Sequence, residues 1–240
     1  MRLNKFLSDS GVCSRREADR QIEKGQVLIN NEVAVLGAQV AADDEVVYCG
    51  KMVQRSSRKT VIALYKPVGI ECTSNLDVKD NIITYLNYPT RVFPVGRLDK
   101  NSEGLILLTD DGELANRILK ARNFHEKEYV VTVDRVISTA FISKMSKGVE
   151  ILDTITRPCI VEKRSDRTFR IILTQGLNRQ IRRMCEALGF EVVRLKRIRI
   201  LNIHLGELKA GDWRLIEDGE LEALRNLVYE DSSELNLTHL

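Results

Sequence analysis

From Thr60 onward the chain is dominated by short apolar runs of strand length, and this pattern limits the fold more than any other feature. Seven runs are strand candidates, and four segments with apolar residues at helical spacing are helix candidates. Strands and helices do not alternate strictly, and no GxGxxG or GxxxxGKS/T loop follows a strand. This pattern argues against a doubly wound nucleotide-binding fold and predicts a mixed, largely antiparallel α+β domain with flanking helices.

The predicted strands are Val61–Tyr65, Arg91–Val95, Leu105–Thr109, Tyr129–Val133, Cys159–Glu162, Phe169–Leu173 and Val192–Leu195. The predicted helices are Gly112–Arg122, Ser138–Lys147, Asn178–Leu188 and Asp218–Val228.

The first 50 residues have a different texture and predict a small unit of helices and short strands. Ser14 and Glu17 form a capping-box pattern at the start of a helix, and Gly25 supplies a left-handed stop. A hairpin and a third short strand follow, and the polar, basic segment Met52–Lys59 is predicted to be a linker. We therefore divide the chain into residues 1–58 and residues 59–240.

Composition excludes several classes of protein. No apolar run of about 18 residues is present, so no membrane span is expected, and the N-terminus lacks the apolar stretch of a signal peptide. The five cysteines are scattered without a CxxC pair, which argues against a zinc site and a disulfide framework. The three histidines are dispersed, and no metal role is assigned to them. A cytoplasmic monomer without bound metal is the expectation.

Charge is distributed unevenly along the chain. Residues 163–199 contain 11 Lys and Arg against 3 Asp and Glu, whereas residues 207–240 contain 3 basic and 9 acidic residues. A concentrated basic block favours a polyanionic partner, because each cation that meets a phosphate releases counterions. A solvated basic helix and strand would give the same pattern, so charge alone does not decide.

The N-terminal stretch RLNKFLSDSGVCSRREADRQIEKGQVLINNEVAV resembles the S4 RNA-binding domain. The match lies in its RLNK, SRREA and GQV segments and in the turn at Asn30. The resemblance implies that basic side chains of this unit grip phosphates of folded RNA, which positions a substrate without reading its sequence. A merely solubilising helix face is the alternative. The candidate phosphate-binding residues are Lys5, Arg15, Arg16 and Arg20.

A second candidate site is the segment VFPVGRLD, an apolar run that ends in a charged pair. If the chain stays extended there, Arg97 and Asp99 point to one side and Leu98 to the other. A carboxylate at the lip between two hydrophobic strands is well placed for reaction. By spacing alone, an aspartate that opens a polar loop is more often a turn or cap residue, and both interpretations stay open.

The segment GRLDKNSEGLILLTDDG resembles the signature of the RsuA/RluA pseudouridine synthases. KPVG upstream and the S4-like unit in front resemble the RsuA branch, and the match extends from Arg2 to about Trp213. The segments HEKEY, SRREADR and QGLNRQIRRMCE are most similar to the F-type synthases that act on large-subunit ribosomal RNA. Several motifs in the right order make a chance match improbable.

The resemblance implies that the protein converts uridine in structured RNA to pseudouridine without a cofactor. It assigns the catalytic carboxylate to Asp99, a base-stacking ring and proton acceptor to Tyr129, and the counter-ion of Asp99 to Arg182. Arg182 would hold the carboxylate with its planar fork in a desolvated pocket. Arg97 would fill the gap left by an extruded uridine. The further implied substrate contacts are Lys127, Arg179 and Arg183.

Ribosomal RNA of the large subunit is the expected partner, with transfer RNA as a second candidate. Three alternatives remain at this point. The chain could be a non-catalytic S4-type RNA-binding protein, or a synthase that acts on small-subunit ribosomal RNA or on transfer RNA. It could also be a hydrolase with paired carboxylates, formed by Asp99 with Glu103 or Asp110.

Overall fold

The computed structural model describes residues 1–54, 59–120 and 124–234. Part of the predicted linker, including Ser56 and Ser57, lies outside the described residues. So do the end of the predicted helix 112–122 and the last residues of the acidic tail, 235–240. No helix in the described ranges has both the length and the apolar character needed to cross a bilayer.

The N-terminal unit packs two helices against a four-stranded antiparallel sheet with strand order β2-β1-β3-β4. Its elements are α1 (Leu3–Asp9), α2 (Arg15–Glu23), β1 (Val27–Ile29), β2 (Glu32–Val33), β3 (Val46–Tyr48) and β4 (Lys51–Met52). Ser14 caps α2 by accepting a hydrogen bond from the amide of Glu17 at 3.1 Å, and Gly25 ends it with φ +68°. A complete capping box also requires the Glu17 carboxylate to accept a hydrogen bond from the amide of Ser14. That part of the prediction is wrong, because the carboxylate accepts from the side chain of Gln21 instead.

The larger domain is built on one nine-stranded sheet with the path β11-β12-β8-β13-β7-β5-β15, where β14 pairs with β13 and β6 with β7. Its strands are β5 (Val61–Lys66), β6 (Phe93–Pro94), β7 (Glu103–Thr109), β8 (Lys127–Val133), β11 (Ile160–Lys163), β12 (Thr168–Leu173), β13 (Val192–Ile200), β14 (Ile203–His204) and β15 (Trp213–Leu215); β9 (Glu150–Ile151) and β10 (Thr154–Ile155) form a separate pair. Among the strand pairings of this sheet in the described residues, only that of β13 with β7 is parallel. The prediction of a mixed, largely antiparallel sheet is confirmed.

Helices cover both faces of this sheet, which explains why its central strands are apolar throughout. The helices are α3 (Ile82–Leu86), α4 (Gly112–Leu119), α5 (Thr139–Lys147), α6 (Gln180–Ala187) and α7 (Asp218–Glu234). Alternate residues of β5 and β7 pack with α4 and α7 on one face and with α3 on the other. Helices α5 and α6 lie on the same face of the sheet as α3. Tyr129 of β8 shows this, because it packs both against the apolar cluster that contains α3 and against the cluster that contains α5 and α6. We call this the α6 face.

The structure departs from the predicted elements where polar residues continue a strand or where a helix is short. Strand β13 continues five residues beyond Leu195 through the alternating sequence KRIRI, because hydrogen-bond pairing with β8 does not require apolar side chains. The predicted strand at residues 91–95 shrinks to Phe93–Pro94. Helix α3 was not predicted, since five residues are too few to show a helical period; the side chain of Asn81 caps it.

Candidate active site

The loop between β6 and β7 carries Asp99 and is held in place by contacts of Leu98 and Ser102. Leu98 is buried in the core on the α6 face, and its amide donates a hydrogen bond to the Cys72 sulfur at 3.3 Å. The amide of Ser102 donates to the Asp99 carbonyl oxygen at 3.0 Å. These contacts direct the carboxylate of Asp99 into a cleft of about 420 Å³ on the α6 face. Its side chain remains 33% exposed, so the desolvated pocket expected from sequence is not observed.

Two guanidinium groups from one segment flank this carboxylate. Nη1 of Arg179 lies 3.6 Å from Oδ2 of Asp99, and Nε of Arg182 lies 3.9 Å from the same atom. Arg179 adopts φ +50° just before α6, and the helix is oriented by its buried residues Ile181 and Met184. The sequence-predicted association of Asp99 with Arg182 is therefore present, and Arg179 is a second cation at the same oxygen.

The terminal nitrogens of Arg182 point away from Asp99. Nη1 donates to the carbonyl oxygen of Val192 at 3.1 Å, and Nη2 donates to the carbonyl oxygen of Asn101 at 2.9 Å and to the hydroxyl of Ser102 at 3.3 Å. The predicted two-point hold on the carboxylate is therefore wrong, because backbone oxygens occupy the fork. Burial, and then Arg179, lower the pKa of this 12% exposed arginine. Arg182 ties the Asp99 loop to the start of β13.

Tyr129 and Lys127 line the cleft from β8. Tyr129 is half-buried and packs against apolar residues of two core clusters on the α6 face. Lys127 is also half-buried, and its Nζ donates to the carbonyl oxygen of His125 at 3.4 Å. Burial, and then the nearby Arg197, lower the pKa of Lys127 to about 8.

The other predicted substrate-binding residues lie at different distances from the cleft. Arg97 is exposed at its edge. Arg183 is turned away and donates to Asn178, at 3.2 Å to the carbonyl and 3.4 Å to the side chain. Sequence reasoning missed Arg197, which lines the cleft beside Tyr129. Alternation along β13 was the available signal, because Leu195 and Arg197 share one face of a strand.

The basic residues of the N-terminal unit lie on α1 and α2 and are not part of the cleft. Arg15 and Arg16 are exposed at the start of α2. Lys5 pairs with Asp9 at 3.1 Å and Arg20 with Glu17 at 3.4 Å, in exposed contacts within their own helices that contribute little to stability.

Neither carboxylate proposed as a hydrolytic partner of Asp99 reaches the cleft. Glu103 accepts from the hydroxyl of Tyr65 at 2.7 Å and pairs with Arg194 on the opposite face of the sheet. Asp110 accepts a hydrogen bond from the backbone amide of Thr60 at 2.7 Å. The geometry contradicts a paired-carboxylate hydrolase. In the described part of the chain, no cluster of His, Cys, Asp and Glu has a geometry suited to a metal ion.

Comparison with protein families identifies both parts of the chain. The family described as RNA pseudouridylate synthase matches residues 60–187, and the S4 domain matches residues 1–46. The chain therefore belongs to the RNA pseudouridylate synthase family and carries an S4 domain in front of the synthase domain.

Individual relatives show which members of this family the chain resembles. The chain is 52% identical to the dual-specificity RNA pseudouridine synthase RluF of Salmonella typhi, over 97% of this chain and 81% of that protein. It is 51% identical to the dual-specificity RNA pseudouridine synthase RluF of Escherichia coli K12, over 98% of this chain and 82% of that protein. Ribosomal large subunit pseudouridine synthase B of Bacillus subtilis is 34% identical, over 94% and 96%. The predicted resemblance to the F-type enzymes of the RsuA branch is confirmed.

A solved structure shows the same architecture. The crystal structure of a pseudouridylate synthase superimposes with a TM-score of 0.69 at 30% identity, covering 93% of this chain and 99% of the other. The predicted fold class is confirmed, and the chain is an RNA pseudouridine synthase. The alternative of a non-catalytic RNA-binding protein is set aside.

Proposed function

We propose that Asp99 is the carboxylate that carries out the isomerisation of uridine to pseudouridine in RNA. The observation that supports this most strongly is its position: a partly exposed carboxylate in the cleft, with Arg179 and Arg182 within 4 Å of one oxygen. Family membership supplies the reaction, and the cleft supplies the candidate residue.

The reaction exchanges one bond to the sugar for another. The bond from C1′ to N1 of uracil breaks, the ring turns, and C1′ bonds to C5, which then loses its proton while N1 gains one. Oxidation state does not change overall, so a carboxylate that acts as nucleophile or stabilises positive charge on the sugar is sufficient. The two arginines orient Asp99 and place positive charge beside it. We propose no metal or organic cofactor.

We propose that the other cleft residues hold the extruded nucleotide. The ring of Tyr129 stacks on the target base and serves as a late proton acceptor. Arg97, exposed at the cleft edge, fills the gap left in the RNA, while Lys127 and Arg179 contact the nucleotide. Arg183 lies outside the cleft and contacts flanking RNA.

We further propose that the S4 domain grips phosphates with Lys5, Arg15, Arg16 and Arg20. Residues 1–58 then form the RNA-binding unit with its linker, and residues 59–240 form the catalytic domain. This assignment is supported by the match to the S4 domain and by the exposure of Arg15, Arg16 and Arg20 on α2, with Lys5 half-buried on α1.

Large-subunit ribosomal RNA is the proposed substrate, with transfer RNA as a second target. The support is the naming of the relatives, two as dual-specificity enzymes and one as a large-subunit enzyme. We propose a monomer, because one chain supplies Asp99, Tyr129 and both arginines to the cleft. All five cysteines are free thiols, which suits the reducing cytoplasm.

Replacement of Asp99 by asparagine tests the assignment. The Asp99→Asn variant keeps the size of the side chain and removes its charge, so RNA affinity should stay within a few-fold of wild type while pseudouridine formation disappears. The measurement is tritium release from RNA labelled at C5 of uridine, together with mapping of pseudouridine in ribosomal and transfer RNA. Turnover near the wild-type rate would show that another residue performs the reaction.

A further inference from the structure

Arg197 is a buried cation that the catalytic assignment above does not use. It is 3% exposed, and its Nε donates to the carbonyl oxygen of Leu105 at 2.6 Å. Its Nη2 has no hydrogen-bond partner among the residues that the structure describes. A buried N–H group without an acceptor is destabilising, so the location of this group calls for an explanation. Arg197 lines the cleft that contains Asp99.

The sheet places Arg197 directly beside Tyr129. The two residues are partners in the β8–β13 ladder, and Arg197 is paired on its other side with Gly104 of β7. Gly104 has φ +105°, and a Cβ atom there would overlap the Arg197 backbone. The absence of a side chain at Gly104 therefore allows β13 to approach and hold Arg197 on the face where Tyr129 lies.

Among the residues that the structure describes, no carboxylate forms an ion pair with this guanidinium. Asp99 lies against Arg179 and Arg182, and Glu103 is paired with Arg194 on the opposite face of the sheet. Lys127 also lines the cleft, and its pKa is lowered by burial and then by Arg197. A buried guanidinium and a half-buried ammonium that line one cleft provide a site for oxygen acceptors brought by the substrate.

We propose that Arg197 is a catalytic residue that binds the uracil base itself, with Nη2 donating to a ring carbonyl oxygen. This inference rests on the proposed role of the cleft. When the C1′–N1 bond breaks, the electron pair stays with the base and is shared among N1, O2 and O4. A guanidinium beside the stacking ring stabilises that charge and keeps hold of the ring until C5 bonds to C1′ and releases its proton.

Burial favours the base over a phosphate as the group that Arg197 binds. Arg97 and Arg179 are exposed side chains of the cleft lining, whereas Arg197 is only 3% exposed and lies next to Tyr129. An extruded nucleotide places its base at the bottom of a pocket and leaves its phosphates near the surface.

The test is a cycle of one protein change and one substrate change. RNA with uridine, 2-thiouridine or 4-thiouridine at the target is compared in single-turnover assays with wild type and with the Arg197→Met variant, since sulfur is a weaker acceptor than oxygen. Wild type should lose about 10- to 100-fold on one of the thio substrates, as expected for one charged hydrogen bond. On uridine RNA, Arg197→Met should be slowed by a factor similar to the one that sulfur causes in wild type. Changing to that thio substrate should then slow the variant little further.

Lys196→Met is the matched control. Lys196 precedes Arg197 on β13, but its ammonium lies 4.9 Å from the centre of the Tyr65 ring on the opposite face of the sheet. This variant should keep the wild-type rate and the wild-type sensitivity to sulfur. Arg197→Lys retains a cation at the same site and serves in the same cycle if the methionine variant is unstable; it should recover part of the rate.

Two results would overturn the proposal. One is an equal thio effect in wild type and in the Arg197 variants. The other is that the effect of the Arg197 variants depends on a methylphosphonate substitution at the target phosphate and not on sulfur substitution in the base. Asp99→Asn with uridine RNA is measured in parallel. Activity in that variant would remove the Asp99 assignment, while the coupling between Arg197 and the base oxygens is measured independently of it.

Discussion

Glu128 is the residue whose removal we expect to affect stability most clearly without touching the cleft. It follows Lys127 in β8 and points to the opposite face of the sheet, where its oxygens lie 2.6 Å from Nε of Arg170 and 2.7 Å from Nε of Arg199. The side chain is 9% exposed. The hydrogen bond from Arg170 is the main cause that lowers the pKa of Glu128 from its usual 4.5 to about 2, with Arg199 assisting and burial opposing.

The size of the effect follows from that pKa. At about 1.4 kcal/mol per pH unit, a lowering from 4.5 to about 2 corresponds to about 3 kcal/mol of stability at neutral pH. Because the folded-state pKa is the lower one, this contribution is complete above pH 4.5 and is lost as the pH falls to about 2. Glu128→Gln should therefore lower the free energy of unfolding by about 3 kcal/mol at pH 7, and the difference from wild type should shrink progressively below pH 4.5.

Urea unfolding followed by circular dichroism at pH 7 and at pH 3 measures both parts of this prediction. Glu162→Gln is the control, because Glu162 lies 3.1 Å from the same Arg170 but is 48% exposed, so its loss should cost less than about 1 kcal/mol. Equal losses in the two variants, or a Glu128→Gln cost that is unchanged at pH 3, would refute the argument. Specific activity of the folded Glu128→Gln enzyme should be close to wild type.

Three further predictions follow from the same structure. Arg182→Ala should lower the single-turnover rate constant by about 100-fold or more and Arg183→Ala only a few-fold, because Arg182 and not Arg183 joins the Asp99 loop to β13; equal losses in the two variants would contradict this. Gly104→Ala should lower the free energy of unfolding by about 3 kcal/mol, because φ is +105° and the new Cβ overlaps the neighbouring strand; thermal unfolding checks it, and a wild-type Tm would contradict it. Replacing Arg15 and Arg16 by alanine should weaken RNA binding and make the slope of log affinity against log salt shallower by roughly 0.7–0.9 per lost contact; an unchanged slope would exclude them as phosphate contacts.

Local signals predicted local structure well. Ser14 caps α2 as expected, Gly25 ends it, and the apolar stripe of α6 faces the core. These features depend on residues a few positions apart, and the sequence displays them directly.

The candidate site was predictable only in part, because its geometry depends on backbone atoms and on distant strands. The resemblance named Asp99 and Arg182, but side-chain patterns do not show that carbonyl oxygens of Asn101 and Val192 would occupy the arginine fork. Arg197 was missed because an arginine in a basic strand suggests a solvated side chain, whereas pairing with Tyr129 places it in the cleft.

The contacts of Arg182 have a consequence for the order in which the chain acquires its properties during synthesis. Its guanidinium closes a link between residues 81 positions apart, so the Asp99 loop cannot be secured until α6 has left the ribosome. The S4 domain, by contrast, lies within residues 1–54, and its core and sheet are formed by residues of that segment. A nascent chain should therefore acquire RNA affinity well before it can isomerise uridine, and a protein arrested at that stage would occupy RNA without modifying it.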